Sequence, residues 1–138
     1  MDDNLEILQE FAAYEAQIKT LAENLELIEV SIVELKKVEE GLMVIKDAKV
    51  GSEILVPMGP DSFINAKITD TKNVIIGLGS GVVAKKSIGA AIMDMEERIK
   101  ELEDVRKKSD DRLQLYTEKY KEIAPRVQEI VENVKEEG

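Results

Sequence analysis

Apolar residues recur every seven positions through both ends of this 138-residue chain, in two interleaved rows at each end. The N-terminal rows are Ile7, Tyr14, Leu21, Ile28, Leu35 and Leu42, and then Phe11, Ile18, Leu25 and Ile32. The C-terminal rows are Ile88, Met95, Leu102, Ser109, Tyr116, Ile123 and Ile130, and then Ile92, Ile99, Arg106, Leu113, Tyr120, Val127 and Val134. Rows offset by steps of four and three form the seam of a left-handed coiled coil. Each end of the chain is therefore predicted to be one long helix.

These two helices, predicted over residues 1–48 and 86–138 of a single domain spanning 1–138, cannot leave their seams in water. The simplest arrangement packs them against each other as an antiparallel two-helix coiled coil. The first helix, from about residue 3 to 47, would be about 65 Å long at 1.5 Å per residue. Arg106 and Ser109 are polar seam positions, which usually set the register of a coil at some cost in stability.

The connecting segment, residues 50–85, has a strand-like pattern instead. Apolar runs with two-residue alternation are separated by turn clusters at 58–61 and 70–73, and glycines interrupt the last part. We interpret this segment as two β-hairpins, so the fold class is mainly α with a β insert. The apolar faces and open edges of the hairpins exceed what two thin helices can cover. Pairing with hairpins of other subunits is expected through Ile54, Val56, Phe63, Ile64, Ile68, Val74, Ile76 and Val82.

The composition removes most catalytic and metal chemistry. The chain has no Cys and no His, which excludes disulfides, thiolate metal sites and the commonest general base. The glycine-rich stretch 77–81 precedes Lys85, but the Gly-Lys step of a phosphate-binding loop is absent. Paired carboxylates are abundant, yet nothing in the pattern indicates the burial needed for acid–base work. We therefore predict no catalytic residue, no metal and no cofactor.

The charge and the hydropathy pattern also narrow the choice of partners. A formal net charge of −10 repels a phosphate backbone, so nucleic acid is not expected as a partner. No apolar run approaches the roughly 20 residues that span a bilayer, and the N-terminus lacks the basic and apolar regions of a signal peptide. A cytoplasmic protein without a membrane association is expected.

The β segment also carries a family resemblance. It reads Glu-Ile-Leu-Val-Pro-Met-Gly at 53–59, Ser-Phe-Ile-Asn-Ala-Lys-Ile at 62–68 and Asn-Val-Ile-Ile-Gly-Leu-Gly-Ser-Gly-Val-Val-Ala-Lys-Lys at 73–86. Together with the order of long heptad helix, two hairpins and long heptad helix, this resembles the α-class subunit of prefoldin, particularly the archaeal kind. The resemblance covers essentially the whole chain, and its specific part is the β segment. Two hairpins indicate the α class, because the β class has one.

The resemblance implies a hexamer of two α-class and four β-class subunits. Their hairpins would join in an intersubunit β-barrel, with six coiled coils extending from it. Such complexes bind unfolded client proteins without ATP and pass them to a group II chaperonin.

The free helix ends, residues 1–15 and 122–138, would then lie about 60 Å or more from the β body. They carry more apolar residues than one seam requires, and fraying of the last turns would expose these residues to clients. Several weak tips on one body would add avidity. The predicted client-binding residues are Leu5, Ile7, Leu8, Phe11, Val127, Ile130, Val131 and Val134. The simpler alternative is that they only close the end of the coil. The acidic first fifteen residues depart from the family pattern and are expected to tune which clients bind.

Two other functions stay open at this point. The first is a structural or filament-forming homo-oligomeric coiled-coil protein of prefoldin-like architecture, which sizing of the chain expressed alone would reveal. The second is an enzyme, for which the sequence offers no convergent set of reactive residues.

Overall fold

The computed structural model describes residues 2–137 as two long helices with four short strands between them. The elements in chain order are α1 (Asp2–Asp47), β1 (Glu53–Gly59), β2 (Ser62–Lys67), β3 (Asn73–Gly79), β4 (Val82–Ser87) and α2 (Ile88–Glu137). This confirms the predicted fold of two heptad helices around two hairpins. The second helix begins two residues later than the predicted boundary, because β4 continues to Ser87.

The chain divides into two compact units. The terminal unit combines the part of α1 up to Ser31 with the part of α2 from Leu102 onwards. The central unit is Ile32–Glu101, and it contains both hairpins.

Burial along the helices follows the predicted rows. Apart from Ala91, every buried apolar side chain in the described part of α1 and α2 belongs to one of them: Leu21, Ile32, Leu42, Ile88, Ile92, Met95, Ile99, Val127 and Ile130. A period of 3.5 residues keeps these side chains on one side of each helix, where they pack across the seam. The heptad interpretation is therefore confirmed.

The two hairpins are built on the same pattern. β1 pairs with β2 from Glu53 opposite Lys67, and β3 pairs with β4 from Asn73 opposite Ser87, both antiparallel. Each pairing in the second hairpin is the corresponding pairing of the first moved along the chain by 20 residues, including the irregularity just before the turn. The two hairpins thus present equivalent positions on equivalent faces.

The turns of the hairpins differ in their backbone angles. In the second hairpin Gly79, Ser80 and Gly81 all have positive φ, 97°, 53° and 77°, and the values of Ser80 and Gly81 suit a two-residue hairpin turn. In the first hairpin only Asp61 has a positive φ, 51°, because the ring of Pro60 fixes its φ at a negative value. The glycine-rich stretch is therefore part of a hairpin, as the sequence indicated.

The core of the central unit lies between the end of α1 and the start of α2. It is formed by buried side chains, against which Val74 and Ile76 of β3 pack: Leu42, Ile88, Ala91, Ile92 and Met95. Lys86 of β4 forms an ion pair with Asp94 of α2. The second hairpin is thereby fixed to the helices by both apolar and charged contacts.

Backbone hydrogen bonds join these elements to their connections. The Gly51 N–H donates to the Ile68 carbonyl at 2.7 Å, and the Ile68 N–H donates to the Ser52 carbonyl at 2.9 Å. The Ser87 hydroxyl accepts a hydrogen bond from the Ala90 N–H at 3.2 Å and so caps the start of α2. The two ends of the first hairpin are thereby joined to each other.

We predict that Ile32→Ala lowers the free energy of unfolding by about 2–5 kcal/mol, because the removed atoms leave a cavity in a packed seam. The Ile32 side chain is only 2% exposed. Its neighbour Val33 is 50% exposed and serves as the control, for which Val33→Ala should cost under about 1 kcal/mol. Urea unfolding followed by circular dichroism measures both values. Equal losses would contradict the burial of Ile32 relative to Val33.

Candidate interaction surfaces

Two aromatic pairs fix the register of the helices in the terminal unit. Phe11 stacks on Tyr120 with ring centroids 4.4 Å apart, and Tyr14 meets Tyr116 at 5.9 Å. Such pairs are worth about 0.5–1.5 kcal/mol beyond the area they bury. The chain has only five aromatic residues, and four of them are used here. As the pairs advance along α1 they move back along α2, which makes the unit antiparallel.

A polar contact lies in the same unit at one of the predicted polar seam positions. The Arg106 guanidinium donates a hydrogen bond from Nη1 to Glu29 Oε1 at 3.0 Å. Both side chains are more than a third exposed, so the ion pair contributes under about 1 kcal/mol to stability. Arg106 therefore links α2 to α1 at a predicted polar seam position, and this link contributes little to the stability of the coil.

The eight residues predicted to bind clients all fall in the terminal unit, but they differ in accessibility. Three are exposed, and we call them the tip surface: Leu5, Val131 and Val134. The other five pack in or beside the seam, with three half-buried and two buried: Ile7, Leu8, Phe11, Val127 and Ile130. The terminal unit therefore has both an accessible apolar surface and a closed seam beneath it.

Val127 and Val134 differ in exposure although they occupy the same heptad row. Val127 is 9% exposed and Val134 is 63% exposed. The register set by the ring pairs, continued along α2, places Val134 opposite a position before Asp2, outside the residues of α1 that the structure describes. Among the described residues, the covered part of this row therefore ends before Val134.

The two ends of the chain are strongly acidic. Residues 1–15 and 122–138 contain ten acidic side chains against two basic ones, Arg126 and Lys135, which gives −8 of the total charge of −10. The Tyr14 hydroxyl donates a hydrogen bond to Glu10 Oε1 at 2.7 Å. This bond, followed by partial desolvation and by the charges of Glu10 and Glu122, raises the pKa of Tyr14 above its ordinary value. Carboxylates from both helices therefore raise the pKa of the same tyrosine.

The eight residues predicted for assembly lie in the central unit and divide into covered and exposed groups. Ile68 is buried, and Val74 and Ile76 are half-buried against the core of the same unit. The other five are exposed: Ile54, Val56, Phe63, Ile64 and Val82. These five remain available for contact with another chain.

The apolar face of the first hairpin is only partly covered by the described residues. Val56 pairs with Ile64 and Ile54 pairs with Ala66, which places these side chains on one face. By the 20-residue repeat this face corresponds to that of Val74 and Ile76, which is packed on the helices. The same face of the first hairpin is left partly open, because Ile54, Val56 and Ile64 are 37%, 38% and 51% exposed.

On the opposite faces of the strands, sequence reasoning named Phe63 and missed the other exposed apolar residues. Leu55, Ile75 and Val83 are all exposed. The signal was present, because the runs 54–56 and 74–76 are apolar at every position, a pattern typical of strands buried on both faces. Both faces of each hairpin thus carry apolar surface.

An apolar cleft of about 710 Å³ opens beside the second hairpin in the central unit. Its apolar lining comes from α1, from Ile68 and from β3, and includes Val38, Leu42, Ile45, Val74 and Ile76. Within residues 2–137 no group of three or more acidic side chains is placed to hold a metal ion. No helix in that range is long and apolar enough to cross a membrane.

Comparisons with known proteins agree with this architecture. A family model described as "Prefoldin subunit" matches residues 14–133. The prefoldin subunit alpha of Pyrococcus horikoshii is 36% identical over 122 residues, covering 88% of this chain and 82% of that one. The prefoldin subunit alpha of Methanopyrus kandleri is 41% identical over 87 residues, covering 63% of this chain and 55% of that one. The filamentous PFD from Methanocaldococcus jannaschii has the same fold, with a TM-score of 0.72 at 22% identity over 86% of this chain and 98% of that one.

We predict that deprotonation of Tyr14 destabilises the terminal unit. Its folded pKa lies above the ordinary value of 10.0, so its contribution to stability is fully present below pH 10 and is lost as the pH rises through the raised pKa. The difference in tyrosine absorbance between the wild type and Tyr14→Phe gives the midpoint of this titration. Glu10→Gln should move this midpoint to a lower pH, because it removes the carboxylate that raises the pKa of Tyr14. Above pH 10 the melting temperature should fall further in the wild type than in Tyr14→Phe. A parallel fall would contradict the coupling of Tyr14 to folding.

Proposed function

This chain belongs to the prefoldin family as an archaeal α subunit, and on that premise we propose that it is part of a molecular chaperone that holds unfolded proteins without ATP. In this role it catalyses no reaction, acts in the cytoplasm and passes its clients to a group II chaperonin. The observation that carries the proposal is the tip surface, where Leu5, Val131 and the heptad residue Val134 are exposed at the helix ends.

Holding at the tip surface needs no nucleotide. Unfolded proteins expose apolar side chains, and contact with Leu5, Val131 and Val134 removes apolar area from water at about 25 cal/mol per Å². The last turns of helices open with little free energy, which lets the half-buried Ile7 and Leu8 take part. Each tip binds weakly and reversibly, and several tips in one assembly multiply the affinity.

We propose further that the hairpins assemble this chain with β-class subunits into a hexamer of two α and four β subunits around a β-barrel. Each hairpin is an isolated two-stranded sheet, so every strand keeps one unpaired edge within the described chain. A two-stranded hairpin is marginally stable alone, and an open apolar edge is a site for pairing with another strand. The exposed residues Ile54, Phe63, Ile64 and Val82 would become buried on assembly.

Self-assembly into a filament is the second candidate. The observation that favours it is the structural neighbour described as filamentous. Both candidates use the same exposed residues of the hairpins, and they differ in whether the partner is a β-class subunit or another copy of this chain.

The holding function is tested by a variant that combines three substitutions in the tip surface, Leu5→Ser, Val131→Ser and Val134→Ser. This variant should lose most of its suppression of aggregation, while its oligomer size and helical content stay unchanged. The measurement is light scattering of a denatured client during dilution, with and without ATP. A matched control replaces exposed apolar residues elsewhere in the terminal unit, by Leu27→Ser, Val30→Ser and Leu115→Ser, and should retain activity. Undiminished holding by the first variant would show that clients bind elsewhere, and a strict need for ATP would exclude the proposed mechanism.

For assembly, Ile64→Lys should give smaller species that remain helical, because Ile64 is exposed within its own chain and charge there opposes burial between chains. Sedimentation of the chain with a β-class subunit measures the size, and Ile64→Val is the conservative control. Ile76→Lys should also lower the melting temperature, since Ile76 packs on the core of its own unit. An oligomer unchanged by Ile64→Lys would place assembly outside the first hairpin. Large assemblies of the wild-type chain alone would favour the filament.

A further inference from the structure

The acidic charge of this chain is concentrated around the tip surface rather than spread for solubility. Residues 1–15 and 122–138 carry ten acidic and two basic side chains, whereas the other 106 residues carry 19 acidic and 17 basic ones. A net charge that serves only to keep a protein soluble has no reason to gather at one place.

Exposed carboxylates directly follow two residues of the tip surface, Glu6 after Leu5 and Glu132 after Val131. Val134 is followed by Lys135 and then by Glu136, which points to the other side of the helix. The field at the tip surface is therefore set by the excess of acidic over basic side chains at the helix ends rather than by a ring of contacts. The two ion pairs described above involve none of these three carboxylates, and the hydrogen bond that Glu132 accepts from Gln128 at 3.4 Å comes from a neutral amide. Their charges are therefore available to a ligand.

We propose that the tip surface selects unfolded segments in which Lys or Arg is interspersed with apolar residues. This names the class of client for the holding function proposed above, and rests on it. Apolar contact alone accepts any unfolded segment, but carboxylates around that contact repel Asp and Glu and attract cationic ends. The aliphatic stems of Lys and Arg also lie well on apolar surface while their charged ends reach outward. One exposed ion pair contributes little, so the selection comes from several carboxylates acting together.

The test uses the full-length chain in its assembled form and three labelled, unstructured peptides of equal length. The first peptide alternates Leu with Lys, the second alternates Leu with Glu, and the third keeps Lys but has Ser in place of Leu. Fluorescence anisotropy should show the Leu-Lys peptide binding about tenfold more tightly than the Leu-Glu peptide at low salt. This ratio should approach one as the salt concentration rises, because exposed charges are screened. The Ser-Lys peptide should bind more weakly than the Leu-Lys peptide.

Variants then assign the selection to the tip surface. A variant that combines Glu6→Gln, Glu132→Gln and Glu136→Gln should bring the ratio of the affinities for the Leu-Lys and Leu-Glu peptides towards one. The matched control removes three exposed carboxylates of the central unit, by Glu34→Gln, Glu96→Gln and Glu97→Gln, and should leave the ratio unchanged.

The outcomes separate this inference from the function on which it rests. If both Leu peptides bind equally and both lose affinity in Leu5→Ser with Val134→Ser, the holding function stands and the charge selection is overturned. If no peptide binds and aggregation is not suppressed, the holding function itself fails. If the Ser-Lys peptide binds as tightly as the Leu-Lys peptide, charge alone attracts it and the combined surface is wrong. A ratio equally reduced in the control variant would assign the selection to the net charge of the chain.

Discussion

Helices of 46 and 50 residues with apolar rows along one side are stable in water only when those rows are covered. In this chain the two rows cover each other, through Leu21, Val127 and Ile130 in the terminal unit and through Ile32, Leu42 and Met95 in the central unit. A seam between two helices is one layer thick, so it leaves no interior in which further apolar residues can be buried. The rest of the molecule follows from this shortage of interior, because apolar residues outside the seam must find cover from another chain or stay exposed.

The hairpins show this shortage most directly. They share one register, and yet Val74 and Ile76 reach the core of the central unit whereas Ile54 and Val56 do not. At the base of the first hairpin, Asp70 accepts hydrogen bonds from the N–H groups of Lys72 and Asn73, and these bonds lower the pKa of Asp70. The connection between the hairpins is thereby shaped locally, by hydrogen bonds among residues 70–73. One hairpin is fixed to its own chain and the other is left for a partner, which suits a subunit of an assembly.

The helix ends combine closure with accessibility in the same way. Stacking of Phe11 on Tyr120 secures the register, and the seam stays closed as far as Ile130. The same row continues into Val134, which is exposed. The terminal unit therefore combines a firmly registered coil with an accessible apolar surface at the helix ends.

The sequence by itself determined the secondary structure and the seam, because periods of 3.5 and 2 residues are local properties that appear directly in the order of residues. It also placed the candidate surfaces at the helix ends and in the hairpins, where the structure has exposed apolar side chains. Only the tertiary structure decided which members of those sets are exposed. Val127 and Val134 belong to one heptad row, and Val56 and Ile76 occupy equivalent positions of the two hairpins, so no local pattern separates the members of either pair. Their burial depends on where an opposing element lies, and that is set by the register of the coil and by the packing of β3 on the helices, which are contacts between residues far apart in the chain.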